Sequence, residues 1–357
     1  MKRYLPLPFL LLGLSCVGAT VLSFKDYVAS YEKTYKNSAE RIERQKTYEE
    51  NLANIKILNS RFPETSFGVN KFSDLSPSEF KSTFLLRNAK LKELLKTRNY
   101  VPIQNQPLHS SAPRYVNWFG NATTAVRNQG QCGSCWAFST VEQVESDWFL
   151  SGKSGWSSPQ ELSVQQLVDC DSREAYGCAG TYAGGGSGYR FIAANGGLTS
   201  ESKYPYVSGS TGTSGTCKKD MQIVGGKISN FSYATKPCDL PWDDCNDQDE
   251  DKVAQYIGTH GPLAICANAH VWQYYKNGVM SGKACGGYDH GSLDHCVQLV
   301  GYSGYDAKKG AKASGDNGAY WIVRNSWATN WGQNGFIYLA MGNNTCGIAD
   351  VPSFAVV

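Results

Sequence analysis

Gln131-Cys132-Gly133-Ser134-Cys135-Trp136-Ala137-Phe138-Ser139 is the stretch on which the reading of this chain turns. After Cys135 come Ala137, Val141, Val144 and Trp148, an apolar series at helical spacing, and Gly152 is placed to close the far end. The spacing predicts a helix that opens at Cys135. A thiol in the first turn feels the positive end of the helix dipole, which favours thiolate over thiol. Cys132 and Gly133 fix the turn that leads into it. The alternative for Cys135 is a structural half-cystine. The chain has 12 cysteines, and Cys16 lies in a leader expected to be removed. An odd number then remains, so one cysteine stays unpaired unless it bridges to another molecule.

Residues 1–19 read as a secretory signal. Lys2 and Arg3 form a basic start, Phe9-Leu10-Leu11-Leu12-Gly13-Leu14 an apolar middle, and Val17 and Ala19 the small residues of a cleavage site. The apolar run is too short to span a bilayer, and no later run is long enough, so no membrane span is expected. The secretory route permits disulfides. Three N-x-[ST] sequons, at Asn121, Asn230 and Asn343, are expected glycosylation sites on that route. With 357 residues, 41% hydrophobic and 18% charged, the chain is globular and long enough for more than one domain. Its net charge of +3 hides an asymmetry: residues 1–111 carry 17 Lys+Arg against 10 Asp+Glu, and residues 112–357 carry 17 against 21. A basic front beside an acidic body predicts an intramolecular electrostatic contact, and no basic, aromatic-interleaved stripe suggests nucleic acid.

Residues 24–100 read as helical. The stretch 40–59 has no Gly or Pro and places Tyr48, Leu52, Ile55 and Asn59 along one face. The spacing Glu40, Arg44, Tyr48, Asn51, Ile55, Asn59 resembles the ERFNIN pattern of cathepsin L-type prosegments, with Tyr48 in place of Phe. Gly68-Val69-Asn70-Lys71-Phe72-Ser73-Asp74 resembles the G-x-N-x-F-x-D motif of the same prosegments. Residues 85–111, basic and then Pro/Gln/Ser-rich, read as an exposed, cleavable connector. From Ala112, Pro113-Arg114-Tyr115-Val116-Asn117-Trp118 resembles the start of a mature papain-like enzyme. Residues 112–220 read as mostly helical. Beyond 221, β-rich runs dominate, among them Leu299–Tyr302, Tyr320–Val323 and Phe336–Leu339. The glycines at 184–186 and the stretch 207–216 read as loops.

The Cys135 run itself resembles the C-G-[SA]-C-[WY] nucleophile signature of the papain family of cysteine proteases. A thiolate nucleophile needs a base beside the sulfur and a group to orient that base. The body offers His260, His270, His290 and His295. Asp294-His295-Cys296-Val297-Gln298-Leu299-Val300-Gly301-Tyr302 resembles the family's D-H-A-V-x-x-V-G-Y run, and Trp321-Ile322-Val323-Arg324-Asn325-Ser326-Trp327 its W-x-x-K-N-S-W run. The resemblance implies Cys135 as nucleophile, His295 as its partner, Asn325 as the orienting residue, Trp327 as a cover over the His–Asn bond, and Gln129 with the Cys135 N–H as the oxyanion hole. Cys132-x2-Cys135 is not a redox motif outside a thioredoxin-like context, and no metal-ligand spacing or cofactor fingerprint is present.

The resemblance also implies the bridges Cys132–Cys178, Cys170–Cys217 and Cys285–Cys346. Cys238 and Cys245 bracket an acidic insertion that looks closed by its own bridge. In the family fold, Cys266 and Cys296 fall on neighbouring strands in the wall of the S2 pocket, as a fifth bridge or as two buried free thiols. The remaining positions implied to contact substrate are Gly180, Thr181, Tyr182, Ala183, Leu293, Asp294 and Val351. The apolar ones predict a bulky hydrophobic P2 residue. Thr181 stands where the family has a glycine, which puts the subsite geometry in question.

The fold class implied is α+β: a papain-like two-domain peptidase, with a helical left domain over about 112–220, a β-barrel-like right domain over about 221–340 and a returning C-terminal segment. An inhibitory prosegment over 20–111 precedes it, with its motifs in about 24–81. The function implied is a cysteine endopeptidase made as an inactive monomeric precursor. Its partners would be protein or peptide substrates, its own prosegment and cystatin-like inhibitors. Its destination would be a lysosome-like or digestive acidic compartment, or the extracellular space. The rivals are an exopeptidase, disfavoured because no paired-histidine loop of the cathepsin B type occurs, and a non-catalytic papain-like binding protein.

Overall fold

The computed structural model describes residues 22–86, 112–172, 175–181, 186–238, 248–285 and 293–357. The expected signal, most of the connector, Tyr182, Ala183, Cys245 and His290 lie outside the described residues. The prosegment opens with α1 (Phe24–Ser30) and α2 (Ser38–Arg61), continues through β1 (Thr65–Phe67) and closes with α3 (Pro77–Phe84). Each helix begins at a side-chain cap: Ser23, Asn37 and Ser76 accept from backbone N–H groups. At α3 the cap is reciprocal, because Glu79 also accepts from the Ser76 N–H, and Pro77 sits in the first turn. Helix α2 stops at Arg61 because Pro63 disfavours helical geometry at Phe62. Its inner face buries Tyr48, Asn51 and Ile55. Tyr48, Phe24 and Tyr27 make a small aromatic core, with ring centroids 4.7 to 6.1 Å apart.

The body starts with β2 (Tyr115–Asn117), followed by the helices α4 (Cys135–Leu150), α5 (Val164–Cys170), α6 (Ser187–Asn195) and α7 (Ser208–Thr211). The short α7 interrupts a stretch read from sequence as loop. The second half holds β3 (Asn230–Tyr233), α8 (Glu250–Thr259), β4 (Leu263–Ala267), β5 (Tyr275–Met280), β6 (His295–Ser303), α9 (Gly310–Gly315), β7 (Tyr320–Arg324), β8 (Phe336–Ala340) and β9 (Ser353–Val356). The strands order as β1-β5-β8-β7-β6-β4-β9-β3, with β2 paired to β6. All pairs are antiparallel except β5 with β8. Thus β2, although it comes first in the body, belongs to the sheet of the second half. Gly301 permits this crossing, because a Cβ there would run into the Val116 carbonyl.

Two buried polar contacts hold α4 against the sheet. The Gln298 amide donates to the Glu142 carbonyl and to Ser146 Oγ at 3.1 and 3.0 Å. Arg324, wholly buried at the end of β7, lies 3.1 Å from Glu142 of α4, while its other nitrogen donates to the Thr124 carbonyl at 2.6 Å. Arg127 pairs with Glu145 at 2.8 Å beside it. The helix that begins with Cys135 and the strand that leads into Asn325 are therefore locked in register.

The charges behind the expected electrostatic contact between prosegment and body lie largely outside the described residues. Residues 22–86 carry 10 Lys+Arg and 9 Asp+Glu, so the basic excess of the front segment falls in stretches outside the described residues. Among the described residues no ion pair crosses the interface; Lys33–Asp74 and Arg44–Glu79 are internal to the prosegment. The crossing contacts are strand pairing, aromatic contacts and side-chain hydrogen bonds, among them Lys71 Nζ to the Trp327 carbonyl at 2.9 Å and Ser281 Oγ to Glu64 at 2.6 Å. Strand β1 extends the sheet by pairing with β5, Thr65 opposite Gly278. Asn70 donates to the Gln273 carbonyl at 2.7 Å, Gln273 to the Leu75 carbonyl at 2.7 Å, and Tyr274 Oη to Asn51 Oδ1 at 2.8 Å. Phe72 and Phe80 meet the Trp327 ring edge-on, each at 5.3 Å. Replacing Glu142 by Gln would strip Arg324 of its counter-charge in this dry boundary. The expected cost is about 3–5 kcal/mol, read as a Tm several degrees lower for the purified precursor.

Candidate active site between the two lobes

Cys135 is the first residue of α4, wholly buried, and the one free cysteine among the described residues. The turn before it is tied down twice. Cys132 is bonded to Cys178, and the Gly133 N–H donates to the Cys178 carbonyl at 3.0 Å. A Cβ on Gly133 would press to 2.7 Å from that carbonyl, so the turn requires glycine. Across the boundary, His295 opens β6, also wholly buried. Its Nε2 lies 2.8 Å from Asn325 Oδ1, and the Ser326 N–H donates to the same oxygen at 2.7 Å. Two donors on one oxygen fix the amide orientation, so Nε2 carries the proton and Nδ1 holds the lone pair. Nδ1 is buried with no other hydrogen-bond partner among the described residues.

Trp327 lies flat on the imidazole, with centroids 4.5 Å apart at 22°, and shields the His–Asn bond from water. It also reaches Gln129, whose Oε1 accepts from Trp327 Nε1 at 3.1 Å and from Ser326 Oγ at 2.7 Å. That leaves the Gln129 amide nitrogen as a donor, and it gives one bond to the Cys132 carbonyl at 3.0 Å. A bridge between Asn128 and Trp327 pairs these two chain segments from opposite lobes.

The prosegment fills the space in front of these groups. Gln129 Nε2 donates to the Phe84 carbonyl at 3.0 Å, and the Leu86 N–H donates to the Asp294 carbonyl at 2.6 Å. The Leu86 side chain joins an apolar cluster with Cys266, Leu293, Cys296 and Val351. Covered in this way, the site is dry. Burial pushes the Cys135 thiol up to about 12; the neighbouring Asp294 adds to the rise, and backbone N–H groups only partly offset it. Burial pulls His295 down to about 4, against the opposing pull of the Asn325 bond. In the covered state burial works against the dipole at the start of α4, disfavouring the charged form of both the thiol and the imidazole.

A covered thiol at a helix start, facing an Asn-oriented imidazole, with a prosegment main chain laid across both, is the arrangement of a masked cysteine protease. Residues 112–356 match the papain family cysteine proteases, and residues 24–80 match the cathepsin propeptide inhibitor domain. The chain belongs to the papain family of cysteine proteases. It is 37% identical to cysteine proteinase 1 of Dictyostelium discoideum, over 94% of this chain and 92% of that protein. It is 34% identical to cathepsin L of Sarcophaga peregrina, over 93% and 91%. A solved structure of digestive procathepsin L 3 from the Tenebrio molitor larval midgut superposes with a TM-score of 0.70 at 29% identity, covering 94% of this chain and 98% of that one. The protease is therefore a cathepsin L-like zymogen, a peptide-bond hydrolase whose propeptide domain is its intramolecular inhibitor.

The zymogen brings Gln129, Cys135, His295, Asn325 and Trp327 into one locus. Gly180, in left-handed geometry, faces the side chain of Leu86, and a Cβ on it would lie 3.0 Å from the leucine methyl. Thr181 pairs with Ala175 in a short bridge. The disulfides are Cys132–Cys178, Cys170–Cys217, Cys266–Cys296 and Cys285–Cys346. Cys238 is also bonded, and Cys245 lies outside the described residues. Sequence reasoning missed Ser326, Phe84 and Leu86. Ser326 could have been found, since it sits inside the motif that contains Asn325. Phe84 and Leu86 follow the prosegment motifs without a local pattern of their own. In the intact precursor Cys135 should resist alkylation by iodoacetamide, and removal of the prosegment should raise the rate on the order of a hundredfold or more.

Proposed function

We propose that the mature protease is an endopeptidase in which Cys135 attacks the scissile carbonyl while His295 takes the thiol proton and later passes it to the leaving amine. What supports this reading most is the position of the Phe84 carbonyl, which accepts from Gln129 Nε2 at 3.0 Å. A substrate carbonyl in that place would turn into an oxyanion, held by Gln129 and the Cys135 N–H. Once the prosegment leaves, water and fixed dipoles reach the thiol and imidazole, and proton transfer from Cys135 to His295 Nδ1 becomes favourable. Attack gives a tetrahedral adduct, collapse expels the protonated amine, and water then hydrolyses the thioester. Asn325 keeps the imidazole facing the sulfur throughout, under Trp327.

Leu86 marks the subsite that would take the P2 side chain. Burying a leucine-sized group there favours binding by about 1.5–3 kcal/mol, so a hydrophobic P2 residue is preferred. Gly180, Thr181, Tyr182 and Ala183 would make the opposing wall, and Asp294 supplies the main-chain acceptor that Leu86 now uses. Asn121, Asn230 and Asn343 are exposed and open to glycosylation. Disulfides and the leader support a secretory route to an acidic or extracellular destination. Cystatin-like inhibitors would bind the same cleft of a monomeric enzyme.

Acid unlocks the prosegment through the clamp between α2 and α3. Burial pushes the Glu79 carboxyl up, but donors from Ser76 and Arg44 outweigh it and hold Glu79 below its ordinary value. A carboxylate held low stabilises the folded prosegment above its ordinary pKa, and this is lost as pH falls through the lowered one. Glu79→Gln should therefore process at a higher pH than the wild-type precursor, measured as the pH of half-maximal processing rate. Cys135→Ala should fold as the precursor and show no turnover of a fluorogenic peptide with leucine at P2, even after processing in trans. Substantial residual hydrolysis would contradict the nucleophile assignment.

A further inference from the structure

Of the three sequons in the chain, one follows an exposed aromatic ring. Two residues before Asn230 is Ile228 and two before Asn343 is Met341, both buried, whereas two before Asn121 is Phe119, 36% exposed. Phe119-Gly120-Asn121-Ala122-Thr123 makes a tight turn. The Trp118 carbonyl accepts from the Asn121 and Ala122 N–H groups at 3.0 and 2.9 Å, and Thr123 Oγ1 accepts from the Gly120 N–H at 3.3 Å. The turn is fastened to the body, because the Trp118 N–H donates to the Val300 carbonyl and the Phe119 N–H to Asn117 Oδ1. Phe336 backs the Phe119 ring edge-on, with centroids 4.8 Å apart at 81°, and is itself buried with Val300 and Ile322. Gly120, at φ +77°, has no atom within 4 Å of the place a Cβ would take. The space over the residue that separates the ring from the asparagine is thus open among the described residues.

We propose that Asn121 carries an N-linked glycan whose first N-acetylglucosamine reaches back over Gly120 and lies flat on the Phe119 ring. The inference rests on the reading that Asn121 is glycosylated. In that modification the Asn121 amide nitrogen displaces the diphosphate from C1 of a lipid-linked oligosaccharide and gives up one proton. The two Cα atoms are at most about 7 Å apart, a span that a pyranose on the amide covers. One face of that sugar is a row of C–H bonds with slightly positive hydrogens, and the face of a phenyl ring is negative. The two therefore stack, the ring loses exposed apolar surface, and the sugar hydroxyls stay in water. The seat also steadies the chain that follows it: the Thr124 carbonyl accepts from Arg324 and Arg127 pairs with Glu145, just ahead of Gln129.

The test is a thermal cycle on the secreted precursor, made with high-mannose glycans and trimmed by endoglycosidase H so that each occupied asparagine keeps one N-acetylglucosamine. Wild type, N121Q, F119L and the double variant N121Q/F119L are compared, and peptide mapping gives the occupancy of Asn121. The single sugar at Asn121 is expected to raise the Tm by about 2–4 °C when the ring is present, the scale of one aromatic contact in a body of this size. With F119L the increment should vanish, and F119W, which keeps an aromatic face, should keep it. Should F119L fail to fold, the wild-type precursor carries the test alone. Ring current should then move the sugar C–H protons upfield of those on the glycopeptide released by complete proteolysis, and unshifted protons would overturn the seat. Equal increments with and without the ring would overturn the seat and leave glycosylation standing. An Asn121 found bare would overturn both.

Discussion

Separating charge between a thiol and an imidazole requires water or fixed dipoles close by, and in this zymogen the prosegment removes the water. Everything else in the architecture follows from how that covering is held. Phe84 and Leu86 lie on the site through main-chain bonds to Gln129 and Asp294, and two prosegment phenylalanines, Phe72 and Phe80, crowd the tryptophan that itself roofs His295. On the proposed mechanism the inhibitor acts twice, by occupying the place of substrate and by disfavouring the charged forms of both groups. The second effect costs the protein nothing in new chemistry. It is mainly desolvation, which raises the thiol and lowers the imidazole.

The covering works only because the two lobes already hold their groups in register. Arg324 and Glu142 join the strand before Asn325 to the helix of Cys135, and the Asn128–Trp327 bridge joins the segments that carry Gln129 and the roof. A polar boundary of this kind suits such a joint. Each buried group is specific about its partner, so a slip of one lobe on the other would leave charges unpaired. The prosegment uses the same sheet, adding β1 beside β5 and so reaching the site from a fixed edge.

Much of this was legible in the sequence because it is written locally. The helix from Cys135 to Leu150 follows from apolar spacing, and the strands at 295–303, 320–324 and 336–340 from β-rich runs bounded by turns. Helical period assigns Tyr48, Leu52, Ile55 and Asn59 to one face of α2; Tyr48 and Ile55 are buried, joined by Asn51, whereas Leu52 is half-buried and Asn59 exposed. What was not legible depends on pairing between distant segments. Charge counting suggested an ionic contact between prosegment and body; among the described residues the contacts are carried mostly by carbonyls, amides and aromatic rings, which a net charge cannot register, with Lys71 and Glu64 each hydrogen-bonded across the boundary. Nothing around Leu86 marks it as the occupant of a pocket built from residues 293 to 351 and a bridge between 266 and 296. Nor does residue order reveal that β2 crosses into the sheet of the other half, which becomes visible only in its pairing with β6.

The account stands or falls on whether the prosegment sets the protonation of His295. The direct measurement is a pH titration of the His295 imidazole by 15N NMR in Cys135→Ala, once as the intact precursor and once after the prosegment has been removed in trans by active enzyme. The account predicts an imidazole that stays neutral down to about pH 4 in the precursor. After removal, titration should rise toward the ordinary histidine value of about 6.5. Identical titration in the two forms would contradict it, and inhibition would then rest on steric occupation of the cleft alone.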